Sequence, residues 1–436
     1  MTKQKNGNVL PIVVMFLLFF MIAFVTNLCN PMAVIVKHNF SMSNFASQLG
    51  NAANFIAYAV MGIPAGMLLK KIGYRKTALV AILVGFIGVF LQYMSGWESV
   101  QSFWVYLIGA FVAGFCMCML NTVVNPMLNT LGGGGNRGNQ LVQFGGVCNS
   151  LAAVLVTIIM GSLIADATKA KISDATPALM IALAVFAFAF IVLLLVKIPE
   201  PMLGMEQNVQ PATDGKRYSA FSFRHFNLGI LAIFLYMGIE VGVPTYVLQY
   251  LTTSPAESTP GFGIDANIAG MIVAVYWLLM LVGRLLGGMI GGKVSSRVQI
   301  SVVSALSIVL VLLGMFLPSD VMVTLFGIKW ETLSVMKASV PVGILPLILV
   351  GLCTSVMWGG IFNMAVEGLG KYTSIASGAF MTMVCGAGIL IPLQGKLADV
   401  FGNFQMSYWV VLVCAAYILF YALFGSRNVN KDIPTA

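Results

Sequence analysis

Long apolar runs alternate with short polar breaks along the whole chain, and twelve of the runs are long enough to cross a bilayer as helices. They fall at about residues 9–36, 45–69, 77–95, 102–131, 140–166 and 177–197, then at 225–251, 267–291, 298–317, 339–367, 375–398 and 406–425. The interval 198–224 is polar and holds most of the Pro, Glu, Gln and Asp of the midsection. The pattern predicts an all-α membrane protein: a six-helix bundle over 1–197, a cytoplasmic linker over 198–224 and a second six-helix bundle over 225–436. The opening MTKQKNGN is basic and runs into the first span without a small-residue cleavage pattern, which reads as a retained helix rather than a signal peptide. The interval 318–338 is mixed in character, and a short re-entrant or interfacial piece anchored by Trp330 is the expectation there.

The polar positions inside the spans matter most. LNTVVNPMLNTLG (120–132) and TNLCNP (26–31) place asparagines and an Asn-Pro pair in segments otherwise apolar enough to span. Amides at membrane depth must face partner helices or a watery cavity. Glu240 is the only acid well inside a span, and it lies four residues before Pro244 as Asn27 lies four before Pro31. A buried carboxylate has to be protonated, paired or ion-bound. Arg284 is the nearest cation in sequence, but its position toward the cytoplasmic end of span eight predicts a gating or interfacial role rather than a direct pair with Glu240.

Composition sharpens this picture. Hydrophobic residues make up 59% of 436 and charged residues only 8%, with mean hydropathy +0.95, against about 25% charged in soluble domains. The net charge of +9 sits in short loops: sixteen of 23 cations fall on the side that carries both termini, six opposite, and Arg284 within a span. The bias puts both termini in the cytoplasm and makes a nucleic-acid partner the poorer reading. All seven cysteines lie in apolar segments, as reduced, packed thiols do. GGGG (132–135) lacks the G-K-[ST] of a phosphate loop, no nucleophile–base pair stands out, and His38 and His225 at helix ends read as solvated. An enzyme is not expected.

The two halves echo each other: MGSLIAD (160–166) closes span five as QGKLAD (394–399) closes span eleven. Parallel six-span repeats describe the major facilitator arrangement, whose substrate site lies near the midplane between the halves. PAGMLLKKIGYRKT (64–77) resembles the major facilitator loop motif through Gly66, Leu68, Gly73, Arg75 and Lys76, with Lys70 where that motif has an acid. Such a loop makes a tight glycine turn whose cations meet helix C-termini or carboxylates in one conformational state. The asparagine segment itself, with IPAGMLLKKIGYR, YMGIEVGVPTYVLQYL, VGRLLGG and MWGGIFNMAVEGLG, is similar to the fucose–proton symporter family, sugar transporters among the major facilitators, over most of the chain. The resemblance implies alternating-access uptake of a sugar-like solute in a bacterial inner membrane, by a multi-pass protein expected to act as a monomer.

The family's proton-handling acids on spans one and four correspond here to Asn30 and Asn121, and amides carry no titratable proton near neutral pH. Coupling is therefore expected to differ: sodium held near Glu240 and Asn27, a proton by another route, or uniport, with no cofactor. Amides and aromatic faces suit hydroxyls and C–H faces, which makes Asn27, Asn30, Asn54, Asn121, Asn125 and Gln143 candidates, with Asn149 and Asn363. Tyr246, Gln249, Tyr276, Trp277, Trp358 and Gln394 complete the lining on the C-terminal side. Gly66, Gly73, Arg75, Lys76 and Arg284 are the gating candidates. The runner-up substrates are an amino sugar, a sialic-acid-like acid or a nucleoside. A multidrug or lipid exporter would have an apolar cavity with few amides, and a transport-dead sensor is a third class.

Overall fold

The computed structural model describes residues 9–40, 49–163, 171–200, 218–329 and 334–435 other than Glu257, Asp265 and Lys431. Within these, the side chains of residues 29–31, 33, 34, 37, 38, 157–163, 266, 267, 327–329 and 334 are not described. Asn30, His38, Cys29 and Trp330 therefore lie outside the described side chains.

Span one is Val9–Asn39, and spans two and three run together as Leu49–Met94, a 46-residue helix. Spans four, five and six are Phe103–Leu131, Gly135–Leu163 and Thr176–Leu195. Spans seven, eight and nine are Arg224–Thr252, Ala266–Gly291 and Ser296–Phe316. Span ten is broken into Ile344–Thr354 and Met357–Val366, and span eleven into Thr373–Thr382 and Gly386–Phe401. Span twelve begins at Phe404 and ends in a π-helical turn, Tyr421–Gly425. Among the described residues, ten helices are long and apolar enough to cross a membrane; taking the 46-residue helix as two limbs and adding Gly135–Leu163 brings the described spans to twelve.

The turn between spans two and three is a single residue. Gly73 (φ 81°, ψ 177°) breaks an otherwise continuous helix, in a region of backbone space essentially reserved for glycine. Gly73→Ala is expected to lose about 1–3 kcal/mol through that strain, read as a lower midpoint in a thermal or denaturant melt.

The interval 318–338, expected as a re-entrant or interfacial piece, is built from strands. It forms an antiparallel hairpin, β1 (Met322–Lys329) with β2 (Ser334–Pro341), in which Phe326 opposes Lys337. The period is two: Val323, Leu325, Met336, Ala338 and Val340 turn inward, where β1 packs on span eight, while Phe326 and Lys337 turn outward. The Lys337 ammonium sits 5.5 Å from the centre of the Phe326 ring.

Two glycine-lined seams join the halves at one end of the molecule. Gly62 and Gly66 of span two lie against Ser374, Gly378 and Thr382 of span eleven. A side chain on Gly62 would meet the Gly378 carbonyl oxygen at 2.7 Å, and one on Gly66 the Ser374 carbonyl oxygen at 2.8 Å. The counterpart seam joins spans five and eight, where Gly288 faces the Phe144 ring and Gly291 faces Gln140. Both seams lie toward the connections 131–135, 291–296 and 366–373, so the halves are closed at that end. Small residues let helix backbones approach this closely.

His225, expected in solvent, is instead fully buried: its Nε2 lies 3.0 Å from the Glu367 carbonyl oxygen, and its ring packs edge-on to Phe223. Cys116, Cys118, Cys148, Cys353, Cys385 and Cys414 are free thiols in the apolar interior or partly buried.

Candidate functional site

Asn121, Asn125 and Asn129 recur every fourth residue and therefore share one face of span four. All of that face points inward: Asn121 donates to the Tyr58 hydroxyl at 3.0 Å, and Asn125 donates to the Asn121 carbonyl at 2.9 Å. The outer edge of the stripe crosses to the second half. Trp358 Nε1 donates to Asn125 Oδ1 at 3.2 Å, and Asn129 Nδ2 donates to Asn363 Oδ1 at 2.6 Å. Asn363 passes the chain on by donating to Ser296 Oγ at 2.8 Å. The stripe is thus a polar stitch between spans four and ten. Asn129 belongs to it on spacing alone, yet it is absent from the residues singled out above.

The second cross-link is ionic. Arg284 Nη2 lies 3.2 Å from Glu240 Oε1, a direct pair between spans eight and seven. This corrects the expectation that Arg284 has a gating or interfacial role rather than a direct pair with Glu240: it makes the pair and the interface together. Its other nitrogen, Nη1, reaches span five in the opposite half, donating to the Gly146 carbonyl (3.1 Å), Asn149 Oδ1 (3.2 Å) and Ser150 Oγ (2.8 Å). The planar guanidinium fork can satisfy acceptors on both sides at once, which a lysine cannot. Glu240 is held from behind as well: Tyr276 donates to its carbonyl at 3.1 Å and touches Thr354 Oγ1 at 3.1 Å. Gln143, one turn before Gly146, donates to the Val356 carbonyl at 2.9 Å, at the break in span ten. Beside this layer stand the partly buried Trp358 and the buried Tyr236, rings 6.1 Å apart.

Not every candidate joins it. Asn27 donates to Ala23 one turn back on its own helix, at 2.8 Å. Asn54 is buried within the first half against Gly114. Trp277 stacks edge-on to Tyr276, 5.3 Å away. Tyr246, Gln249 and Gln394 lie further toward the open end: Tyr246 donates to the Ile391 carbonyl at 2.7 Å, Gln394 is fully buried beside Ser407, and Gln249 is exposed. Glu240 and Asn27, expected to share a sodium ion, have separate partners here: the carboxylate pairs with Arg284 and the amide turns to its own helix. Among the described residues, no three His, Cys, Asp or Glu side chains converge as metal ligands.

The loop after span two acts within its own half. Arg75 caps the C-terminal end of span six, donating to the carbonyls of Leu193 (2.8 Å) and Leu194 (2.5 Å). Glu200, just past span six, accepts from the Tyr74 amide (2.6 Å) and the Arg75 amide (2.9 Å), which begin the third span. Its signal in the sequence is an isolated acid following a helix whose neighbour in space is a cationic loop. Lys76 is exposed.

The family description "Major Facilitator Superfamily" matches residues 15–392. The chain belongs to the major facilitator superfamily. Within it, the chain is 27% identical over 432 residues to the glucose/galactose transporter of Brucella abortus, covering 98% of this chain and 96% of that one. It is 29% identical over 445 residues to a putative glucose/galactose transporter of Helicobacter pylori, covering 98% and 100%. The L-fucose-proton symporter of Escherichia coli is 21% identical over 449 residues, covering 98% and 96%. The crystal structure of a superfamily transporter in the outward conformation superposes with a TM-score of 0.78 at 21% identity, over 97% of this chain and all of that one. The shared architecture is the twelve-span major facilitator fold, a membrane transporter's rather than an enzyme's.

Proposed function

We propose that this major facilitator takes up a neutral hexose of the glucose or galactose kind across a bacterial cytoplasmic membrane, by alternating access between its six-span halves. The observation that carries the reading is the Arg284 layer, which ties spans seven and eight to span five through one side chain. Such a layer closes one end of the site and must come apart when the halves rock. Relatives of matching length that are named glucose/galactose transporters support the substrate class. Amide oxygens and N–H groups beside the Trp358 and Tyr236 rings are the groups that pair with hydroxyls and lie against C–H faces. An anionic sugar is disfavoured: Glu240 already neutralises Arg284, and a second carboxylate would have to displace it. The excess of loop cations on the side of the termini orients that side, where the seams are closed, toward the cytoplasm.

For coupling, we assign a proton received by Glu240. The positions of the other acids expected from the resemblance are Asn30 and Asn121, leaving one carboxylate in the layer, and a proton there would break the Arg284–Glu240 pair and leave the arginine free to change partners as the halves rock. The test is sugar accumulation in liposomes under an imposed proton or sodium gradient. A proton gradient should concentrate sugar at least tenfold in wild-type vesicles, and Glu240→Gln should bring the accumulation ratio to about one. Sodium-driven accumulation, or proton-driven accumulation that survives Glu240→Gln, would remove the assignment. Failure to accumulate under either gradient, with equilibration intact, would make the protein a uniporter.

A further inference from the structure

A polar pocket lies away from the Arg284 layer, at the end of the C-terminal half opposite the closed seams. Its volume is about 250 Å³, below the roughly 300–1,000 Å³ of sites for drug-sized ligands, so it suits one small molecule. Tyr246, Gln249 and Thr253 supply one wall from a single face of span seven, and Asp399 with Gly395 supplies the other from span eleven. Ser258 and Thr259 close it from the following connection, and Phe404 forms its aromatic side. Tyr246 is six residues beyond Glu240, roughly 9 Å along the helix at 1.5 Å per residue. The pocket is therefore separate from the ionic layer, and at 3.6 residues per turn its span-seven wall faces span eleven, on the side of the helix away from Glu240.

The chemistry is that of a polyol site. Asp399 is exposed, and no described side chain pairs with it. It offers two acceptor oxygens to neighbouring hydroxyls. Gln249, also exposed, brings a donor and an acceptor together, and the hydroxyls of Thr253, Ser258 and Thr259 can do either. The Tyr246 hydroxyl spends its proton on the Ile391 carbonyl and keeps its lone pairs. Phe404, 5.7 Å from the Tyr250 ring, gives an apolar face for C–H groups. A divalent cation fits less well, since calcium sites gather several carboxylates among six to eight oxygens and this pocket has one.

We infer that this pocket is a second, outer sugar-binding site in the C-terminal half, able to hold a hexose independently of the central layer. The inference rests on the hexose-uptake reading above. The experiment is equilibrium dialysis of radiolabelled D-glucose or D-galactose against the purified full chain, wild type and Asp399→Asn, with uptake kinetics on the same proteins. Two bound equivalents in wild type and one in Asp399→Asn are expected, with uptake by Asp399→Asn showing that the variant is a folded transporter. Asp399→Ala, checked by the same melt, guards against a local folding defect in either variant. One equivalent in both proteins would overturn the outer site while leaving hexose transport standing. One in wild type and none in Asp399→Asn would make Asp399 part of a sole site and overturn it too. Occupancy that appears only with added calcium would make the pocket a cation site, and binding of neither sugar would take down the transport reading along with this one.

Discussion

Arg284→Gln should cut uptake at least a hundredfold and lower the melting midpoint more than any other single polar substitution in the spans. Removing one member of a buried ion pair leaves the other uncompensated, at about 3–5 kcal/mol. Most hydrogen bonds between membrane helices contribute far less, about 0.6 kcal/mol on average. Here the variant would strand the Glu240 carboxylate and free three acceptors on span five, the Gly146 carbonyl, Asn149 and Ser150. Arg284→Lys keeps the charge but not the fork, so it should restore little of the activity. The decisive measurement is a double-mutant cycle. If the pair is what matters, Glu240→Gln with Arg284→Gln should melt within about 1 kcal/mol of wild type, well above the sum of the single losses, while transport stays lost. Additive losses in the cycle would mean that Arg284 stabilises the fold mainly through its hydrogen bonds to span five, with the ion pair contributing little.

That pair also marks where reading the sequence stopped. The span count is carried by hydropathy, which acts locally and can be read residue by residue. Depth within a bundle cannot. Counted from the closed end of each helix, Glu240 lies roughly 24 Å in and Arg284 roughly 10 Å in, at 1.5 Å per residue. Helix tilt and a long side chain close that difference, and neither is written in composition. The hairpin was hidden for another reason. The alternation of Val323, Leu325, Met336, Ala338 and Val340 against Phe326 and Lys337 has a period of two, but in a chain this apolar a strand and an interfacial helix look alike over eight residues. The break in span ten at Ser355 and Val356 carries no proline or glycine, so nothing local announces it. Asn129, by contrast, was legible. Its spacing of four from Asn125 and eight from Asn121 needed only to be followed to the end of the helix.

Gly378→Val is expected to abolish transport while leaving a folded protein, because it acts on the closed seam and not on the site. Gly378 backs directly onto the Gly62 carbonyl oxygen and onto the Gly66 backbone, so an added Cβ has no flexible side chain to push aside. Backbone would have to separate, and in a major facilitator the separation available without unfolding is the rocking of the halves away from each other at this end. The substitution should therefore populate the state in which the seams of spans two and eleven and of spans five and eight are open. A cysteine pair placed across the second seam, at Gln140 and Gly291, reports this directly, since Gly291 packs on the Gln140 backbone when the end is closed. With no other change the pair should cross-link readily; with Gly378→Val the yield should fall at least fivefold. Sugar should still bind from the newly opened side at an affinity within about tenfold of wild type. Unchanged cross-linking with transport lost would show that the seams open independently, and the two six-span halves would not move as rigid bodies. Gly62→Val, which meets Thr382 and the Gly378 carbonyl from the facing helix, should reproduce the same shift if the contact itself is the cause.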